Sequence, residues 1–170
     1  SGGKIVYIIG FMGSGKSTAG KKLSASLGWH FIDLDRKIEE KAGKTVPQIF
    51  SQDGEEVFRN IESEVLKSIE SGTDTIISTG GGTPCHGSNM DYMLETGLTV
   101  YLKMTPGQLT NRLLESTGDR PLIKNIPDDQ LHEFIEKKLA VREKWYNRAA
   151  IIIEGINLDI SRLLSLIKSY

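Results

Sequence analysis

The sequence predicts a three-layer α/β fold in which a five-stranded parallel sheet lies between helices, and three observations predict it. Short β-branched runs alternate along the chain with longer stretches of helical periodicity. Those short runs are almost continuously apolar, as strands buried on both faces are. No repeat, low-complexity tract or Pro/Gly/Ser linker interrupts the 170 residues, so residues 1–170 read as one domain.

The strands are expected at 5–9, 31–33, 75–78, 99–102 and 151–153. Helices are expected at 17–27, at 55–71, where Phe58, Ile61, Val65 and Ile69 recur at helical spacing, and at 131–146. Ligands of parallel sheets bind beyond the carboxyl ends of the strands, so the loops that follow the strands are where function is sought. Two of the irregular segments draw notice. The stretch at about 115–127, with Gly118, Pro121 and Pro127, is long enough to act as a lid. Gly80-Gly81-Gly82 follows a strand directly; glycines remove side-chain bulk and relax φ, which lets a ligand approach the backbone.

Composition excludes several classes of function. No unbroken apolar run is longer than 5–9, far short of a membrane-spanning helix. Residues 1–3 carry no signal-peptide core and are left out of the fold. With 21 Lys and Arg against 22 Asp and Glu the net charge is −1, so no basic field exists to gather nucleic-acid phosphates. The single Cys85 makes no internal disulfide and points to a reducing compartment. The expectation from composition is a cytoplasmic chain with neither nucleic acid nor membrane as partner; a monomer and a small-molecule substrate are also expected. His30, His86, His132 and Cys85 have no partners at ligand spacing and are given no role.

Gly10-Phe11-Met12-Gly13-Ser14-Gly15-Lys16-Ser17-Thr18 matches G-x-x-x-x-G-K-[ST] between an apolar strand and a helix. Gly13, Ser14 and Gly15 let successive backbone N–H groups turn around phosphates at a helix N-terminus. Lys16 is then placed to neutralise the terminal phosphate of a nucleotide and the Ser17 hydroxyl to ligate Mg²⁺, with Thr18 beside the site.

The acceptor side is assembled from scattered residues. Asp33 and Asp35 share one face if extended geometry persists through Leu34; Asp33 then faces the metal and Asp35 accepts a proton from a hydroxyl. The alternative is that one of them N-caps a helix starting near Arg36. Arg59 and Glu62 can meet on one helical face, either as a surface pair or as part of an anion fork. Arg142 stands on an apolar stripe with Leu131, Ile135, Leu139 and Tyr146; it either snorkels to the surface or pairs with an anion. Arg120, in the long loop, is either a solvated cation or a residue delivered onto a transferring phosphoryl group.

From about Lys4 to Ile153 the chain resembles the shikimate kinases. The resemblance rests on the motif at 10–18, Asp33-Leu34-Asp35, Asp53-Gly54-Glu55, Phe58-Arg59 with Ile61-Glu62, Ser78-Thr79-Gly80-Gly81-Gly82, Arg120-Pro121-Leu122, and Arg142 with Tyr146. It implies a P-loop, nucleoside-monophosphate-kinase-like fold and ATP-dependent phosphorylation of the 3-hydroxyl of shikimate. It also implies Lys16 on the phosphates, Ser17 and Asp33 at Mg²⁺, and Asp35 at the reacting hydroxyl. Arg59, Gly80, Gly81, Gly82 and Arg142 become shikimate contacts, Glu62 orients Arg59, and Arg120 becomes a phosphate contact from the lid. An acceptor-binding segment is implied at about 34–62, and Arg112 and Asn157 match the adenine contacts approximately. Phe11 stands where some members have a basic residue, and Val57 where an acidic or polar one is common. The rival readings are a gluconate-type kinase of the same fold and an acceptor-free, nucleotide-binding regulatory module.

Overall fold

The computed structural model describes residues 2–70, 72–116, 123 and 125–170. The chain forms β1 (Ile5–Ile9), α1 (Lys16–Leu27), β2 (His30–Asp33), α2 (Leu34–Ala42), α3 (Val46–Asp53), α4 (Glu55–Ser68) and β3 (Thr75–Ser78). A single 3-10 turn at Thr83–Cys85 leads into α5 (Asn89–Thr96), β4 (Leu98–Lys103), α6 (Pro106–Glu115), α7 (Asp128–Tyr146), β5 (Ile151–Glu154) and α8 (Ile160–Lys168). The five strands are ordered β2-β3-β1-β4-β5 and every neighbouring pair is parallel.

Strand periodicity divides the core in two. Ile5, Tyr7 and Ile9 point to one face of the sheet, where they join Ile38, Ile49, Phe58, Leu109, Ile135 and Tyr146 from the helices. Val6 and Ile8 point to the other, against Ala19 and Leu23 of α1 and Leu163 and Ile167 of α8. Each fully buried aliphatic side chain contributes on the order of 2 kcal/mol. The central strands thus fix both layers, and their carboxyl ends present the functional loops.

All five expected strands form, with β2, β4 and β5 a residue or so longer. The helices α3, α5, α6 and α8 are absent from the sequence reading; of these, α3 and α6 begin with reciprocal capping boxes, Thr45 with Gln48 and Thr105 with Gln108, each with a proline in the first turn. The expectation that extended chain runs through Leu34 is corrected. The strand stops at Asp33, whose side chain accepts from the Asp35 N–H at 3.0 Å and N-caps α2, so Asp35 lies in the first helical turn. Arg120, the expected lid residue, lies outside the described residues.

Candidate active site

The motif after β1 folds as a cradle because its glycines adopt backbone that other residues resist. Gly13 and Gly15 have φ of 83° and 88°, and a Cβ on Gly10 would stand 2.9 Å from the Leu102 carbonyl. Gly15 ends the loop at the N-cap of α1, so the free N–H groups of the first helical turn face the cradle. Lys16 is buried, and its Nζ donates to the carbonyls of Gly10 at 2.8 Å and Phe11 at 3.0 Å, placing the charge across the loop. The Ser14 hydroxyl is also buried and has no hydrogen-bond partner among the described residues.

Beside the cradle lies a corner of hard oxygen donors. Asp33 and Ser78 are register partners at the ends of β2 and β3. The Ser17 hydroxyl donates to Asp33 Oδ2 at 3.4 Å and lies 3.2 Å from the Ser78 hydroxyl. Asp33 therefore serves both readings the sequence left open: Oδ1 caps α2 while Oδ2 faces Ser17. One carboxylate with hydroxyls suits Mg²⁺ shared with phosphates rather than an all-protein cage. Among the described residues no group of three or more His, Cys, Asp or Glu could hold a metal alone.

A cavity of about 390 Å³ continues from this corner, with Lys16, Asp33, Asp35, Gly80 and Gly81 in its wall. The glycine loop forms the far side. A Cβ on Gly80 would stand 3.3 Å from Asp35 Oδ1, one on Gly81 3.1 Å from an Arg142 terminal nitrogen, and one on Gly82 2.5 Å from an Arg59 terminal nitrogen. None of the three has positive φ. Lack of bulk, not backbone freedom, is what this loop requires. Two guanidinium groups from helices far apart in sequence thereby meet neighbouring residues of one loop, whose Cα atoms lie ~3.8 Å apart.

Each arginine is prepared differently. Arg59 donates to Glu62 Oε1 at 2.9 Å, and Glu62 is fully buried. Arg142 is only 4% exposed, stands over the Phe11 ring at 5.4 Å, and keeps one terminal nitrogen buried without a hydrogen-bond partner among the described residues. A buried cation with an unmet donor is suited to receive an anion. Tyr146 holds the loop from behind, its hydroxyl donating to the Gly81 carbonyl. Burial pushes the Asp35 carboxyl up to about 6, with Asp33 and Glu62 adding to the rise and Lys16 opposing it. A carboxylate poised near neutrality is suited to take a proton from an alcohol.

A second cavity, about 360 Å³, shares Gly15 and Thr18 with the first and brings Arg112 and Asn157 together. Arg112 leans over the cradle, 3.5 Å from the Gly13 carbonyl. Asn157 has φ of 49°, the one positive value at a non-glycine among the described residues.

The model of the family described as "Shikimate kinase" matches residues 12–165. The chain belongs to the shikimate kinase family. A shikimate kinase of Phocaeicola vulgatus is 40% identical over 157 residues, covering 92% of this chain and 90% of that one. A shikimate kinase crystal structure from Bacteroides thetaiotaomicron superposes with a TM-score of 0.89 at 36% identity, over 97% of this chain and 98% of that one. One from Acinetobacter baumannii, in complex with shikimate, gives a TM-score of 0.83 at 31% identity, over 98% of this chain and 94% of that one.

The two departures from the family pattern have local explanations. Phe11 is buried under Arg142, and Val57 is 40% exposed on the outside of α4. Burial pushes the Cys85 thiol up to about 11, which keeps it protonated and unreactive near neutral pH. Sequence reasoning missed Ser78 as a partner of Ser17, Tyr146 as a loop anchor and Thr83 altogether. Register with Asp33 would have found the first, but nothing local signals the others.

Proposed function

We propose that the chain carries out its family's reaction, moving the terminal phosphoryl group of ATP onto the 3-hydroxyl of shikimate. The arrangement over the glycine loop carries this reading: Arg142 against Gly81, Arg59 against Gly82, and Asp35 in the same cavity as Lys16. A carboxylate of the acceptor meets the two guanidinium groups, which a flat bidentate geometry suits. Held there, the acceptor presents its alcohol to Asp35. The carboxylate takes the proton as the alcohol oxygen bonds to phosphorus, and the bond from phosphorus to the bridging oxygen of ADP breaks.

On the donor side, the N–H groups of the cradle and Lys16 hold the phosphates, while Gly13, Ser14, Gly15, Thr18, Arg112 and Asn157 line the path to the base. Ser17 and Asp33 would hold Mg²⁺, which offsets phosphate charge when bound. Arg120 is read as a further phosphate contact. Most of the rate in such a transfer comes from positioning and charge stabilisation. The reading also takes a monomeric, cytoplasmic chain as the setting, without nucleic acid as a partner. No helix among the described residues is long and apolar enough to cross a membrane.

ADP release with shikimate as sole acceptor tests it, with the product identified by phosphorus NMR. The expected result is shikimate-dependent ADP and a monoester at the 3-oxygen. ADP formed equally fast without acceptor, or with gluconate, contradicts it.

A further inference from the structure

The glycine loop and the acceptor helix α4 are joined by one buried hydroxyl. Thr83, fully buried, accepts from the Gly80 N–H at 2.9 Å and donates to Glu62 Oε2 at 2.7 Å. The other oxygen of Glu62 receives Arg59 at 2.9 Å. The Thr83 carbonyl accepts from Asn89 Nδ2 at 3.0 Å, and Asn89 Oδ1 in turn receives the Ser63 hydroxyl at 2.8 Å. Thr83 thus meets α4 twice, through its side chain to Glu62 and through Asn89 to Ser63.

We propose that Thr83 is a positioning residue of the acceptor site, its hydroxyl fixing Gly80 to Glu62 and, through Glu62, the Arg59 guanidinium over Gly82. This deepens the proposed function and rests on Arg59 being an acceptor contact. A threonine hydroxyl has one hydrogen to donate, and here it is committed to a fully buried carboxylate. Removing the hydroxyl leaves the Gly80 N–H and one oxygen of Glu62 without this partner in a buried place, where such losses are felt most. Glu62 then keeps the Arg59 hydrogen bond at Oε1 but loses the one at Oε2, and Arg59 gains rotamers that must be lost again when the acceptor binds. The clearance is small, since Arg59 already occupies the space a Cβ on Gly82 would take. A small displacement of the guanidinium therefore matters for an acceptor lying on that loop.

The test compares Thr83→Val, of nearly the same shape, with Thr83→Ser, which restores the hydroxyl. Melting temperature and the KM for each substrate are measured on the whole chain. Thr83→Val is expected to raise the KM for shikimate about 10-fold and leave the KM for ATP within about 2-fold. Thr83→Ser should restore the shikimate KM even where its missing methyl lowers the melting temperature. Thr83→Ala serves the same comparison if the valine variant does not fold. Because Thr83 acts through Arg59, adding Thr83→Val to Arg59→Leu should raise the shikimate KM no further. An unchanged shikimate KM in Thr83→Val, equal rises for both substrates, or independent multiplication in the double variant overturns the proposal. If Arg59→Leu raises the shikimate KM and Thr83→Val does not, only the role of Thr83 falls. If Arg59→Leu leaves it unchanged, the acceptor reading of Arg59 falls and takes this proposal with it.

Discussion

On the proposed reading, the donor and acceptor halves of the cleft are built by opposite means. The phosphate cradle of the donor half is one contiguous stretch, Gly10 to Thr18, whose shape follows from three glycines of positive φ and the start of a helix. The acceptor half draws Asp35 from α2, Arg59 and Glu62 from α4, the glycines from the end of β3 and Arg142 from α7. A local motif carries its geometry in its own backbone; a convergent one depends on how helices pack against the sheet. Damage to the first should appear in nucleotide handling. Damage to the second can begin far away in sequence and should appear in acceptor handling alone.

The largest expected effect comes from the donor half. Lys16→Met removes the charge spanning the cradle and should lower kcat by about 10³-fold, the scale of losing one preorganised electrostatic contact. Steady-state kinetics with both substrates saturating measures it, and a loss under tenfold would break the claim that this half carries the phosphates. Next is Asp35 of the acceptor half, whose carboxyl also feels Lys16 and Asp33 across the cleft. With the group pushed up to about 6, kcat/KM for shikimate should fall tenfold per pH unit below about 6 and level off above it, because only the ionised form accepts the proton. Asp35→Asn should lower the plateau by about 10²-fold and abolish that limb. An acid limb that persists unchanged in the variant means another group titrates.

Two glycines sharpen the contrast between function and fold. The atoms nearest a Cβ on Gly82 would be those at the movable end of Arg59, and Gly82 has φ of −94°, which alanine adopts readily. Gly82→Ala should therefore raise the KM for shikimate about 10-fold with little change in melting temperature. At Gly97 the same atom would stand 2.5 Å from the backbone carbonyl of Ile5, so Gly97→Ala should destabilise the chain without that selectivity. Smallest is Thr105→Ala, which removes the capping box of α6. It should cost about 1 kcal/mol in denaturant unfolding and leave both KM values in place.

The same contrast explains what could be read from the sequence. The strands were legible because parallel strands buried on both faces are continuous apolar runs, and the donor cradle because spacing alone defines it. Arg142 was legible because a charge interrupts an apolar stripe. The start of α2 was not, since an aspartate between a strand and a second aspartate is compatible with either extended chain or a cap, and the cap prevails. α3 and α6 were hidden by prolines that look like breakers yet sit in first helical turns behind Thr45 and Thr105. The roles of Thr83 and of Tyr146 as loop anchor were invisible because they exist only once the glycine loop lies against α4 and α7. Within the loop itself, the sequence suggested two reasons for glycine and the structure uses one.

Calorimetric titration of shikimate and of a non-hydrolysable ATP analogue into the wild-type chain and Arg142→Leu tests the convergent acceptor site most directly. The account predicts that Arg142→Leu weakens shikimate binding by at least about 2 kcal/mol, the loss of a charge-assisted pair, and leaves nucleotide affinity within about 2-fold. Equal losses for both ligands, or none for shikimate, would contradict it.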